Sequence, residues 1–532
     1  MYLKKLVGTT LLGFASISAN AAINAGTAQF SSKLFTEGLG RLPDQGAWGG
    51  TVSFWASNSC NLANLQYIAR NLLTSAEFLS TSPTAQEKVF RLYRAVLHRD
   101  ANVNELTYGI NLLNSGSMWA AAVDNTLNSS EFISRVSQNC SSTPYGWQPV
   151  APANIVLTNT GAAKDEATLR ARLASAKAGS TVFLEQGAVI RLSDNLVIPE
   201  NVTVATVGTP GAGKAPLLAR ITRNFSNPTA NVNLPETITL SSGSRLDSVW
   251  IDGQRNNLGY LNKTLIQARG DNASVQRSML SDSTGFTHLH FYRDINEAPY
   301  CTGGSAANNL ITAYGAKHAE GLGFSDGISV SCTNVIVENN SIVDATDVGV
   351  VVFRSHPATQ TTIVRNNNIF NAGNSAYGGL VVDPLATISS TTFASQYPQS
   401  TVLDFTGTRI MNNTVWSSPN AHIDIVLSNG SRPWFGAESY TGKGASFTNN
   451  SSGTQTVTTF SAISVSGMLS ATVQSNTLNA LAAKPNNPSC PQRGTVVAPM
   501  PYGNDSTSSI QPYLLVSSSD PIVTGCIRTH QN

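Results

Sequence analysis

Asn334-Val335-Ile336-Val337-Glu338-Asn339-Asn340-Ser341-Ile342 reappears 27 residues later as Thr361-Thr362-Ile363-Val364-Arg365-Asn366-Asn367-Asn368-Ile369. A third version, Thr408-Arg409-Ile410-Met411-Asn412-Asn413-Thr414-Val415, follows an insertion, and Val473-Gln474-Ser475-Asn476-Thr477-Leu478 is a weaker fourth. A period between about 20 and 50 residues marks a solenoid, in which each repeat covers the apolar face of the next. Val, Ile and Leu alternate within each copy, so one set of side chains points into the coil. Asn stands at the bends, where it tolerates left-handed backbone, and stacked Asn side chains can bond to one another. These asparagines therefore read as structural.

Working outward, residues 167–204 read as the start of the coil. Leu169, Leu173 and Ala176 mark one face of a short helix ended by Gly179, and short strands follow: Thr181-Val182-Phe183-Leu184, Ile190-Arg191-Leu192, Leu196-Val197-Ile198 and Val202-Thr203-Val204. This stretch resembles the opening of a pectate-lyase-like β-helix, where a helix caps the open end of the coil. The resemblance implies a mainly β protein, a right-handed parallel β-helix with an N-terminal α-helical domain. The β-helix is placed at 154–483, and residues 484–532, which lose the repeat, are read as a tail packed over the final coils.

Residues 24–140 have helical periodicity and repeat internally. Leu34-Phe35, Leu39-Gly40-Arg41 and Trp48 align with Leu92-Tyr93, Leu97-His98-Arg99 and Leu106, while Ser75-Ala76-Glu77-Phe78 aligns with Ser129-Ser130-Glu131-Phe132. Phe90, Tyr93, Leu97 and Leu106 read as core. Arg41, Glu77, Arg99 and Glu131 read as caps and ion pairs, and His98 as structural. The segments Leu92–Arg99 and Asn128–Phe132 resemble a small helical domain of unknown function found in bacterial exported proteins. Residues 141–153, rich in Ser, Thr, Pro and Gly, are read as a linker.

The first residues are those of a signal peptide. Lys4-Lys5 precedes an apolar run from Leu6 to about Ile17, and Ala19-Asn20-Ala21 supplies small residues for cleavage near Ala21. The run is shorter than the ~20 apolar residues a membrane span needs. A periplasmic or secreted location follows. Six cysteines in an oxidising compartment suggest disulfides, in sequence order Cys60–Cys140, Cys301–Cys332 and Cys490–Cys526. Only 12% of residues are charged, against the usual ~25%, and the net charge is +2 without a basic run. That excludes a nucleic-acid footprint.

Residues of successive coils stack about 4.8 Å apart on flat faces, a geometry suited to a long polymer. Aligning strands on Leu289, Ile328, Val350, Leu380 and Ile423 places His288, His290, Tyr292, Asp326, Asp347, Arg354, Tyr377, Asp383, His422 and Asp424 on one outward column. Phe324-Ser325-Asp326-Gly327-Ile328 and Thr346-Asp347-Val348-Gly349-Val350 resemble the polygalacturonase-type glycoside hydrolases. Asp326 falls at that family's first Asp and Asp347 at the second Asp of its pair. Thr346 replaces the other member of the pair, Tyr377-Gly378-Gly379 stands where Gly-His-Gly is expected, and no Arg-x-Lys follows.

Three functions stay open. A glycoside hydrolase needs a proton donor and a carboxylate, here Asp347 as acid and Asp326 or Asp383 as base, with Arg354 and His356 holding substrate and no cofactor. A lyase acting on an acidic polymer needs a base and a partner for the uronate carboxylate, for which His290, Tyr292, Arg293 and His318 would serve. Its metal-assisted form would hold Ca²⁺ on Asp326, Asp347 and Asp383. A non-catalytic polysaccharide-binding or assembly protein would use the same face, with Tyr377 among its aromatic contacts. A homotrimer is left open, since many β-helix carbohydrate enzymes form one. No zinc site is expected, because the chain has no CxxC and no dense His/Cys cluster.

Overall fold

The computed structural model describes residues 23–146, 152–225, 236–261, 263–293, 300–313, 323–353, 359–384, 401–430, 440–466 and 468–482, with strand segments at 495–498, 509–510, 514–515 and 522–524. The segment read as a signal peptide, Cys490, Cys526, His318, Arg354 and His356 lie outside them. Among the described residues no helix is long and apolar enough to cross a membrane.

The described strands between Thr181 and Thr524 form a parallel β-helix, the expected fold. Three sheets share the coil, and each strand pairs in parallel with the equivalent strand of the coils before and after it. The first sheet begins at Thr181–Leu184, the second at Val189–Leu192 and the third at Leu196–Ile198. The short helix Glu166–Ser175 seals the first coil with Leu169 and Leu173. Inside the coil runs one column of buried aliphatic side chains, including Val275, Ala306, Val337, Val364 and Ile410 from the first sheet.

Asn-Asn pairs divide the work of the bend. The first member, Asn308, Asn339, Asn366, Asn412 or Asn449, takes a left-handed backbone with φ of 55–57°, which Asn tolerates better than most residues. The second members stack in one column, Asn309, Asn340, Asn367, Asn413 and Asn450, ending at Asn476. Each Nδ2 donates to the Oδ1 of the next at 2.9 Å. Each Oδ1 from Asn340 onward also accepts the backbone N–H of the asparagine one coil earlier. Every amide is buried and bonded.

Strands 495–498, 509–510, 514–515 and 522–524 continue the three sheets in parallel register. The coil stack thus runs past residue 483, where the sequence places a covering tail. No Asn-Asn pair occurs between residues 495 and 524, and so the repeat is invisible there.

Ten short helical segments between Ala25 and Asn139 make the N-terminal domain. In each copy of its repeat one Arg closes on one Glu: Arg41 on Glu77 at 2.6 Å, and Arg99 on Glu131 at 2.7 Å. Cys60–Cys140 ties the loop before the helix Leu62–Leu73 to the domain's C-terminal end, and Cys301–Cys332 joins two adjacent coils. Leu97 and Leu106 are buried, whereas Phe90 and Tyr93 are only half-buried. Phe90 is instead turned edge-on to Trp250 of the β-helix.

That contact belongs to a seam along the outer face of the second sheet. Val343, Phe370, Ala372 and Trp416 share one apolar core with the helices, with Trp48 set edge-on to Phe370 at 4.8 Å. Beside it Arg94 binds Glu37 (2.7 Å) and Asp100 (2.8 Å), Asp100 binds Arg220 (2.9 Å), and Arg220 binds Asp252. The guanidinium groups of Arg94 and Arg220 lie over the Trp250 ring. Gly40, at φ +72°, approaches Gly213 so closely that a Cβ would come within 2.0 Å of its carbonyl oxygen.

Replacing Asn367 by Ala removes the two bonds its Oδ1 accepts from Asn340 and the Nδ2 donations to Asn413 Oδ1 and to the Val337 and Arg365 carbonyls. Leaving buried partners unsatisfied should cost roughly 2–4 kcal/mol, read as a lower urea midpoint. An unchanged midpoint would mean that the column contributes no stability.

Candidate active site

The third sheet carries the site on its outer face, away from the helical domain. Its strands begin in one row, Thr264 pairing with Thr287 and Thr287 with Asp326. Strict alternation from Ile328 would turn Asp326 into the coil. Gly327 prevents this. A Cβ at Gly327 would strike Ile342 of the interior, as Cβ atoms at Gly349 and Gly379 would strike Ile369 and Val415. Two successive residues therefore face inward, and Asp326 faces out.

Asp326 and Asp347 line one cavity of about 370 Å³ with His290 and Tyr292. Asp326 Oδ2 accepts from the Ser329 hydroxyl at 2.7 Å, and Oδ1 from the Val348 N–H at 3.0 Å. Asp347 sits on the next coil. Its N–H bonds to the Ser325 carbonyl, and its own carbonyl accepts the N–H groups of Tyr377 and Gly378 at 2.9 Å each. The aspartates are thus held on adjacent coils by backbone bonds.

His290 stacks on Tyr292 with centroids 4.9 Å apart, and its Nε2 is 3.1 Å from Ser331 Oγ. Burial pushes its pKa down to about 3. Beneath it, His288 Nδ1 donates to the Asp326 carbonyl at 2.9 Å, and burial lowers that imidazole to about 4. Neither ring is charged near neutrality.

Sequence reading missed several lining residues: Glu236, Lys263, Phe286, Phe324 and Phe353. Glu236 lies two residues before Ile238, the spacing that separates Asp326 from Ile328, and that spacing could have found it. Burial raises its pKa, against the pull of hydrogen bonds from the Thr264 hydroxyl and N–H. Lys263 is the one cationic side chain among the described residues lining the cavity.

The other expected residues lie elsewhere. Asp383 pairs with Phe353, five residues beyond Gly378, the partner of Val348. That is roughly 16 Å along the strand, and Asp383 is wholly buried. The three aspartates therefore do not gather into a Ca²⁺ shell. No group of three or more His, Cys, Asp or Glu suited to a metal occurs among the described residues. Arg293 is drawn to Asp271 (3.5 Å) and the Arg269 carbonyl, outside the cavity. Tyr377 meets Phe324 edge-on at 6.1 Å. Burial, and then the charges of Asp347 and Asp424, push its hydroxyl up to about 12.

One alignment is corrected. Ile423 pairs with Ala376, and Leu427 is the partner of Leu380. The strands lengthen from five residues at 326–330 to eight at 376–383 and 423–430, so the first inward residue no longer marks the same row. His422 and Asp424 consequently lie beside Ser375 and Tyr377.

Neither a family model nor a curated protein matches the sequence. Several solved structures show a likeness, among them the following three. The pre-mature gene product 12 of bacteriophage phi29 has a TM-score of 0.39 at 14% identity, over 65% of this chain and 44% of that one. The Dettilon tailspike protein gp208 has 0.38 at 12%, over 66% and 64%. The catalytic unit of a GH87 α-1,3-glucanase from Streptomyces thermodiastaticus strain HF3-3 has 0.34 at 15%, over 71% of each. The chain thus spans less than two thirds of the length of the first two.

His290 should leave a signature in stability. Its unfolded pKa is near 6.5 and its folded pKa about 3, so below pH 6.5 the unfolded chain takes a proton that the folded site refuses. Stability is lost as pH falls across that window. A His290→Gln variant should show a shallower loss of urea midpoint between pH 6.5 and 3 than the wild type. Equal slopes would show that His290 titrates normally in the fold.

Proposed function

We propose that the protein is an exported glycoside hydrolase acting on a polysaccharide, with Asp347 and Asp326 as its catalytic carboxyl groups. The observation that carries this reading is the meeting of those two aspartates, on adjacent coils, with the rings of Phe286, Tyr292, Phe324 and Phe353 in one cavity. Aromatic rings offer apolar surface to sugar faces, and the carboxyl groups offer the proton and the base that glycosidic cleavage needs. Asp326 accepts hydrogen bonds at both oxygens, the arrangement of a base, and it would activate water or attack the sugar carbon. Asp347, half-exposed at the mouth, would protonate the leaving oxygen. Glu236, shifted toward its protonated form, would donate to a sugar hydroxyl. No cofactor is required.

The charge of the cavity favours hydrolysis over elimination. A lyase must neutralise a uronate carboxylate, whereas among the described residues three carboxyl groups line the cavity with Lys263 as their one cation, and His290 is neutral. A polymer of neutral sugars meets no such repulsion. Export is supported by two disulfides, which persist in oxidising compartments.

The purified protein should release reducing ends from neutral glycans, or from the producing organism's own exopolysaccharide, without near-ultraviolet absorbance. Asp347→Asn should lower that rate by at least about 100-fold with an unchanged thermal melt. Absorbance rising with the reducing ends would mean elimination. Retention of polymer without any cleavage would mean a binding protein, and full activity of both Asp347→Asn and Asp326→Asn would remove the assignment.

A further inference from the structure

One group of side chains on the same face is not used by that reaction. Ser375 Oγ lies 3.0 Å from His422 Nδ1, and His422 Nε2 lies 3.2 Å from Asp424 Oδ1. Adjacent coils bring them together, since Ala376 pairs with Ile423, and Ile423 faces the interior while His422 and Asp424 flank it. The backbone N–H of His422 donates to Ser375 Oγ at 3.1 Å. That bond fixes the oxygen and leaves its own proton to point at Nδ1. The Asp424 carboxylate stands beside Nε2 at ion-pair distance, without an aligned hydrogen bond between the two, and its charge favours the tautomer that keeps the proton on Nε2 and lets Nδ1 accept. The His422 side chain is 31% exposed and Asp424 10%, so a substrate can reach the ring.

We propose that Ser375, His422 and Asp424 form a second catalytic site that hydrolyses O-acyl esters, with Ser375 as nucleophile, His422 as general base and Asp424 as the group that orients and stabilises the imidazolium. The roles follow from geometry, as they do wherever a hydroxyl, an imidazole and a carboxylate stand in this order. Ser375 Oγ attacks the ester carbonyl carbon while its proton passes to Nδ1. The bond from that carbon to the alcohol oxygen then breaks, and His422 returns the proton to the departing oxygen. Water attacks the acyl-serine, gives a proton to Nδ1, and releases the carboxylic acid as Ser375 recovers its hydrogen. Ester and water are consumed, and alcohol and acid are formed.

The carrier of the ester is taken to be the polymer itself, and this part rests on the polysaccharide reading. Tyr377 joins the two sites. Its hydroxyl feels both Asp347 and Asp424, and its N–H is bonded to the Asp347 carbonyl. A chain lying across the coils from Asp326 and Asp347 would pass Ser375 on the next one, about 4.8 Å further on. Short acyl groups on its hydroxyls are the fitting substrate.

The test uses the full protein and a small ester, so it does not depend on the polymer. Release of nitrophenolate from p-nitrophenyl acetate should fall at least about 100-fold in Ser375→Ala and in His422→Gln. A fluorophosphonate should label the wild type on the peptide containing Ser375. Ser375→Ala should still cleave the polymer. Wild-type protein that neither hydrolyses the ester nor takes the label would overturn the proposal, as would unimpaired hydrolysis by Ser375→Ala. Ester hydrolysis without polymer cleavage would keep this site and remove only its assumed carrier. Polymer cleavage without ester hydrolysis would do the reverse.

Discussion

The amide column from Asn309 to Asn476 sets the register on which everything else depends. A coil held only by aliphatic packing could slip, because one methyl stack resembles the next. An amide whose donor and acceptor both point along the stack has one partner above and one below, and each bond is made in the dry interior, where a missed one is expensive. The rows of the third sheet inherit that register. Asp326 meets Asp347, and Ser375 meets His422, because the bends that precede their strands are fixed at one height per coil.

The second sheet faces a different demand. Its outer side chains include Trp250, Phe370 and Trp416, too apolar to leave in water, and the helical domain covers them. Ion pairs at this seam are poor sources of net stability, since charges lose hydration when buried. Their value is directional. Arg94, Asp100 and Arg220 fit in one arrangement only, so the helices seat at one position along the coil. The third sheet lies clear of the helices and carries the candidate site.

Much of this is legible in the residues. The Asn-Asn pairs show the period, Leu169 and Leu173 show the cap, and pairing the cysteines in sequence order agrees with the two bridges seen, Cys60–Cys140 and Cys301–Cys332. Motif spacing points to Asp326 and Asp347, and both line one cavity. What was hidden depends on context beyond a strand. Asp383 was expected beside Asp326, but a column shared in sequence can be separated along the strand direction. Glu236 was missed because the repeat is faint before it. The seam was missed because Trp250 and Phe370 look like interior residues until their alternation is known, and a segment rich in Ser and Pro reads as a free linker even when the domains it joins are packed together.

The seam also orders the life of the chain in time. Trp48 is made 368 residues before Trp416, against which it rests. The helices thus enter the compartment where the chain folds ahead of the coils that seat them, and their apolar side stays uncovered until those coils follow. The N-terminal domain begins as a sticky piece without its seat, and it needs shielding until the later coils have wound. A chain of this design is most vulnerable to aggregation midway through its own folding, after the passenger has formed and before its platform exists.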